Sequence, residues 1–262
     1  MEETCGIEFL DEARKARFDR LCREAVRARP NLGDAGIGTL AEKCLHAVVK
    51  QFLCADSHCH EVQLENTRFV SDVRIGNEIY EVQTGDFYPM KRKIGFYLSN
   101  TDCTVTVVHP IAVQRWMSWV DPTSMEIEPR KRVSRKGRPI DLLPQLAALS
   151  EHLQNPRLRF RLLLLETYDF RLLDGTRKDR KKHATHYERI PLSMLGEMTF
   201  SSPADFRAFL PQDLPSHFTV KQFSRLSGLR GRDAYSAVRA LAALGLVASA
   251  DPIGRSMGWQ IV

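Results

Sequence analysis

Arg68-Phe69-Val70-Ser71-Asp72-Val73-Arg74-Ile75, Gly76-Asn77, Glu78-Ile79-Tyr80-Glu81-Val82-Gln83-Thr84 is the stretch from which the fold is read. Two runs with strand-like alternation flank a two-residue turn, the pattern of a β-hairpin. With Gly76-Asn77 as the turn, Ile75 pairs with Glu78, and counting outward sets Asp72 opposite Glu81. Like charges at that position repel. A divalent cation between the two carboxylates removes the repulsion, and Gln83, two residues beyond Glu81, adds a third polar group on the same face.

Outward from the hairpin, Ile37, Leu40, Ala41, Cys44, Leu45, Val48, Val49 and Phe52 form one apolar stripe of a helix over residues 37–53. Glu42, His46 and Lys50 line up on another side, either turned toward the hairpin or as a solvated face. A more loosely periodic helix precedes it over 7–29. A short strand is expected at 60–65, a helix at 87–98 after the hairpin, and a strand in the β-branched run 103–108. A helical crossover between the third and fourth strands makes those two parallel, so the sheet is mixed. Residues 115–120 read as a further strand, 141–153 as a helix, and 158–170 as a long apolar strand.

The order αβββαβ, with Asp72 followed by Glu81-Val82-Gln83, resembles the restriction-endonuclease-like PD-(D/E)XK nucleases over about residues 36–110. That resemblance implies an α/β fold with an αβββαβ core and a mixed sheet. It implies that Asp72 and Glu81 coordinate Mg²⁺ or Mn²⁺ together with the backbone carbonyl of Val82, while Glu42 acts from the first helix. The usual last residue of the family motif is lysine, where this chain carries Gln83. Glutamine orients water or phosphate but offers no positive charge. Some members use Glu-x-Gln, and here Lys91 or Lys93 on the next helix can replace the cation. Lys91, one turn after Phe87, is the expected one. The whole chain, with Glu81-Val82-Gln83-Thr84, Lys91-Arg92-Lys93 and its C-terminal module, also resembles an uncharacterised bacterial family, which lends no activity.

Singly, each of these residues has a structural reading: Asp72 paired with Arg74 or Arg68, and Gln83 satisfied within a strand. Their joint positions on helix and hairpin carry the argument.

The last sixty or so residues read as a separate module. Residues 206–210 suggest a short helix. Thr219 with Gln222 forms a capping box, Gly228 breaks the helix that it starts, and a second helix runs from about Gly231 to Leu244. A hairpin through residues 251–256 completes the pattern of a winged helix-turn-helix. Arg230, Arg232, Tyr235 and Arg239 lie on the exposed side of the second helix, with Arg255 in the wing. Arginines so placed reach phosphates or guanine edges, although winged helices also serve as dimerisation or docking modules. The basic run 130–138, which begins with Arg130, Lys131 and Arg132, and the run 177–183 read as exposed loops that supply further phosphate partners.

The expected organisation is a helical segment at 1–35, a nuclease-like core at 36–128, a basic accessory segment at 129–198 and a winged helix at 199–262. With 262 residues, two modest domains with separate cores are expected. A net charge of +6 favours a polyanionic partner. No signal peptide or membrane-spanning stretch is read, and Cys5, Cys22, Cys44, Cys54, Cys59 and Cys103 are expected as reduced thiols, which points to the cytoplasm. The stretch 54–60 looks metal-like, but no second ligand pair follows at zinc-finger spacing. The leading functional expectation is a metal-dependent DNA endonuclease, as a homodimer if it cuts both strands. A nuclease-fold DNA-binding regulator without chemistry is the alternative, and action on RNA a third.

Overall fold

The computed structural model describes residues 11–27, 44–64, 67–175 and 184–262, which form a mixed α/β protein around one open mixed sheet. Helix α1 (Glu12–Arg27) and helix α2 (Cys44–Leu53) cover one face of that sheet. Phe18 and Phe52 hold them together edge to face, with ring centroids 5.1 Å apart. Glu42 and the first part of the apolar stripe, Ile37 to Ala41, lie outside the described residues.

Strand β1 (His60–Gln63) pairs antiparallel with β2 (Val70–Ile75), which pairs antiparallel with β3 (Glu78–Val82). Gly76 occupies the left-handed region at φ 56°, which a residue without a Cβ enters at little cost, and the register Ile75–Glu78 follows. After a 3-10 turn at Tyr88–Met90, helix α3 (Lys91–Asn100) crosses over to β4 (Thr104–Val120), which runs parallel to β3. The expected strands at 103–108 and 115–120 are one long strand with an irregularity between Ala112 and Gln114.

Strand β5 (Lys131–Arg132) pairs with β4 at Trp116 and Met117. The run 130–138 is therefore no free loop. Arg130 lies 4.3 Å from the Trp116 ring centroid and Lys131 5.0 Å from that of Trp119, so cation–π contact adds to the ladder in tying it down. The expected helix at 141–153 is instead a 3-10 turn at Pro139–Leu142, one turn of helix, α4 (Leu143–Leu146), and a second 3-10 turn at Ala147–Leu149. Pro144 at the start of α4 withholds a backbone donor.

Strand β6 (Leu158–Leu172) runs parallel to β4, and β7 (Thr185–Phe200) runs antiparallel to β6. Among the described residues the order is β1-β2-β3-β4-β6-β7, with β5 beside β4. The sheet thus continues across the expected boundary at 128/129, and residues 129–198 are no separate accessory segment. The run 177–183 lies outside the described residues.

The C-terminal part comprises β8 (His217–Thr219), α5 (Val220–Ser227), α6 (Arg232–Ala243), β9 (Val247–Ile253) and β10 (Ser256–Ile261), with sheet order β8-β10-β9. Thr219 and Gln222 form the expected capping box, and Gly228 at φ 73° ends α5. Residues 206–210 fall at the end of a 3-10 turn, Pro203–Phe209, not in an α-helix. Among the described residues the C-terminal part has no core of its own. Ile94, Leu146 and Phe160 share one apolar cluster with Phe223, Ala237 and Leu241, because α4 packs directly on α6. Among the described residues no helix is long and apolar enough to cross a membrane. Cys22, Cys54, Cys59 and Cys103 are free thiols.

Candidate functional site

The hairpin ladder stops one rung short of the two carboxylates. Its paired rungs are Ile75–Glu78, Arg74–Ile79 and Val73–Tyr80. At the next level the Asp72 side chain takes over, its Oδ2 accepting the Val82 backbone N–H at 2.7 Å. His46 Nε2, from α2, lies 3.3 Å from the same oxygen. Glu81 is 3% exposed. Its Oε2 accepts from Lys93 Nζ at 2.5 Å and its Oε1 from the Tyr97 hydroxyl at 3.1 Å. Lys93 and Tyr97 are four residues apart on α3, hence on one helix face, and the short crossover turns that face back onto β3.

Burial raises the Glu81 carboxyl to about 7, and the nearby Asp72 charge pushes the same way, against the lowering by Lys93 and Tyr97. Asp72 moves in the opposite direction. Burial would raise it, but His46, the Lys93 charge and the Val82 N–H together hold it below the ordinary carboxylate range. Burial and the Glu81 charge raise the Tyr97 hydroxyl, which stays a proton donor. The site therefore joins a firmly ionised carboxylate to one poised near neutrality.

Two adjacent carboxylates are a donor set that suits a small hard cation, since Mg²⁺ takes one or two protein carboxylates and completes its shell with water or phosphate oxygens. Asp72 Oδ1 accepts no hydrogen bond among the described residues, which leaves it available as a donor atom. Among the described residues no group of three His, Cys, Asp or Glu side chains has metal-holding geometry. Asp72 and Glu81 are thus the donors on hand, while Glu42 lies outside the described residues.

Gln83 is not the third polar group facing the pair. Its amide N–H bonds to the Val108 carbonyl at 2.9 Å, its carbonyl meets His109 Nδ1 at 2.5 Å, and its side chain donates to the Asp86 carbonyl, closing its own loop. Lys91 is also elsewhere: its Nζ pairs with Glu151 at 2.7 Å on the surface. Lys93 occupies the position expected of Lys91. Val82 contributes its N–H to Asp72 and buries its side chain toward α1 and α2.

His46 and Tyr97 were not singled out from the sequence. The spacing signals were present: His46 shares the polar line of α2 with Lys50, which reaches Glu61 at 2.9 Å, and Tyr97 follows Lys93 by one turn. In the 54–60 stretch, Asp56 caps a 3-10 turn and His60 Nε2 meets the Cys54 carbonyl at 2.9 Å.

Arg230, Arg232, Tyr235, Arg239 and Arg255 are all exposed. Arg232, Tyr235 and Arg239 line a cleft of about 490 Å³ between α6 and the turn after α4. Arg255 stands in the β9–β10 turn. Lys131 and Arg132 of β5, and Arg130 just before it, are exposed.

The family model described as Domain of unknown function (DUF8091) matches residues 43–201. The chain belongs to that family. The DUF8091 span contains every strand of the large sheet together with His46, Asp72, Glu81, Lys93 and Tyr97. No curated protein and no solved structure matches the chain.

Proposed function

We propose that the chain is a metal-dependent DNA endonuclease of the PD-(D/E)XK type. The observation that carries this reading is the Lys93 ammonium against Glu81, beside Asp72, at the end of the β2–β3 hairpin. The succession α2, β1, β2, β3, α3, β4 is the order expected of a restriction-endonuclease-like core, here with β6 and β7 added. Elements β8 to β10 with α5 and α6 have the order of a winged helix-turn-helix, and their exposed arginines would carry the protein to DNA.

Asp72 and Glu81 would hold Mg²⁺ or Mn²⁺, which when bound polarises a phosphoryl oxygen and lowers the pKa of water. The protein's own groups do the rest. His46 keeps Asp72 ionised and aimed, Tyr97 fixes one Glu81 oxygen, and Lys93 supplies the positive charge that Gln83 lacks, offsetting charge that builds on the phosphate. A homodimer would serve double-strand cutting, and the free thiols fit a cytoplasmic enzyme.

One feature favours a second reading, a DNA-binding regulator without turnover: Lys93 already neutralises Glu81. Supercoiled plasmid in Mg²⁺, Mn²⁺ or EDTA separates the two. Metal-dependent nicking by the wild type and none by Asp72→Ala or Glu81→Ala supports the nuclease. Undiminished nicking by both variants overturns the site, whereas metal-independent binding without turnover supports the regulator. Parallel RNA substrates test the choice of nucleic acid.

A further inference from the structure

Beyond Val108, where pairing with β3 ends, β4 continues past the Gln83 loop toward Arg115. A cleft of about 400 Å³ lies there, walled by Thr84 to Asp86 on one side and by Arg115, Arg135, Lys136 and Arg189 on others. The basic wall is fixed in place. Val133 N–H bonds to the Arg115 carbonyl and Gly137 N–H to the Ala112 carbonyl, each at 2.9 Å, so the intervening residues are strapped to β4. A Cβ at position 137 would come within 2.6 Å of the Ile111 side chain, and only glycine lets the strap lie so close.

The charges in this cleft are not matched. Arg189 takes both oxygens of buried Asp169, at 2.7 and 2.9 Å. Arg115 Nε is 3.9 Å from that carboxylate, beyond hydrogen-bond reach, and is buried without a hydrogen-bond partner among the described residues. Of the other acids on the walls, Asp141 is bonded to Arg138 and Asp86 to the Tyr88 N–H. Burial first, then the charges of Arg189, Arg171 and Arg135, oppose protonation of Arg115, and Asp169 only partly compensates. A planar guanidinium among further cations in a concave site is suited to an oxyanion with several acceptor oxygens.

We propose that this cleft is a phosphate subsite that takes a backbone phosphate of the DNA flanking the bond held at Asp72 and Glu81. The identity of that ligand rests on the nuclease reading. From Val108, level with Val82, to Arg115 is roughly 20 Å of strand at about 3.3 Å per residue. That length corresponds to on the order of six steps along a duplex at about 3.4 Å each. The subsite would thus set the register of the duplex on the enzyme, leaving the cut to the carboxylates.

The test is equilibrium binding of a fluorescein-labelled duplex to the full chain in EDTA, where no cleavage intervenes, over a salt series. Arg135→Ala/Lys136→Ala changes only exposed strap residues, so the fold is kept, and Arg239→Ala/Arg255→Ala is the comparison at the C-terminal part. The strap variant is expected to bind about tenfold more weakly and to flatten the slope of log K against log salt by about two. Unchanged affinity and slope overturn the subsite. Pyrophosphate is the second probe, read as a shift in Tm. If it stabilises the wild type but not the strap variant while DNA binding is the same in both, the cleft takes a free phosphate compound and the DNA assignment fails. A protein that binds DNA through the strap but never cuts retains this inference and loses the nuclease reading.

Discussion

Asp72 accepts the backbone N–H of Val82 at 2.7 Å, and so stands in for the next rung of the hairpin while presenting its other oxygen at the site. One side chain thereby carries a structural and a chemical task, and substitution can divide them. Asp72→Ala leaves the Val82 N–H without its acceptor, at a cost of about 1–3 kcal/mol. Asp72→Asn keeps an acceptor oxygen but not the charge. Asn is expected to melt near the wild type, Ala several degrees lower, and both are expected to lose nicking of supercoiled plasmid. An Asn variant that cuts at the wild-type rate would remove Asp72 from the chemistry.

Lys93 and Lys91 are both basic and two positions apart, yet only Lys93 touches Glu81. Lys93→Ala is expected to cut roughly 100-fold more slowly or worse, the usual scale for losing a preorganised charge at a reacting centre. Lys91→Ala is expected to match the wild type in rate and in Tm. Equal losses in the two variants would indicate a general electrostatic effect of α3.

That choice was out of reach of the sequence for a geometric reason. Counting from Phe87 sets Lys91 one helical turn on, but the chain makes a 3-10 turn over Tyr88–Met90 and the α-helix starts only at Lys91. The change of phase hands the inward position to Lys93. Asp72 and Glu81 were legible because Gly76-Asn77 pins the hairpin register, and every residue outward from a pinned turn can be counted. Strand β7 was not legible. Its buried positions include Glu188 and Glu197, and Arg189 and Glu197 engage Asp169, Arg14 and Arg161, so ion pairs stand where apolar alternation would have shown.

The two carboxylates impose opposite pH dependences. Protonated Glu81 suits the metal-free fold below its ordinary range, and that contribution is lost as pH rises through about 7, because the charged form is then held in a buried site. Asp72 contributes above its ordinary range, and its contribution is lost only in acid as pH falls through its lowered value. In EDTA, the wild type is expected to lose up to about 3 kcal/mol relative to Glu81→Gln between pH 5 and pH 8, read by urea unfolding. Mg²⁺ binding requires the ionised form and is expected to tighten over the same interval, read by calorimetry. A pH-independent difference between the two proteins would show that Glu81 does not titrate there.

Leu146 on α4 and Leu241 on α6 belong to one apolar cluster, which ties the C-terminal part to the sheet. Chains with separate cores melt in separate steps, whereas a shared core couples both parts in one transition. Leu146 is fully buried, so Leu146→Ala is expected to cost about 2–5 kcal/mol through lost burial and the cavity left behind. The discriminating readout pairs Trp259 of β10 with Trp116 of β4, since each reports on one part of the protein. With single-tryptophan variants, both positions are expected to report the same urea midpoint, and Leu146→Ala is expected to lower both together. A fall at Trp259 alone would mean that α4 serves only the C-terminal part and that the sheet stands by itself.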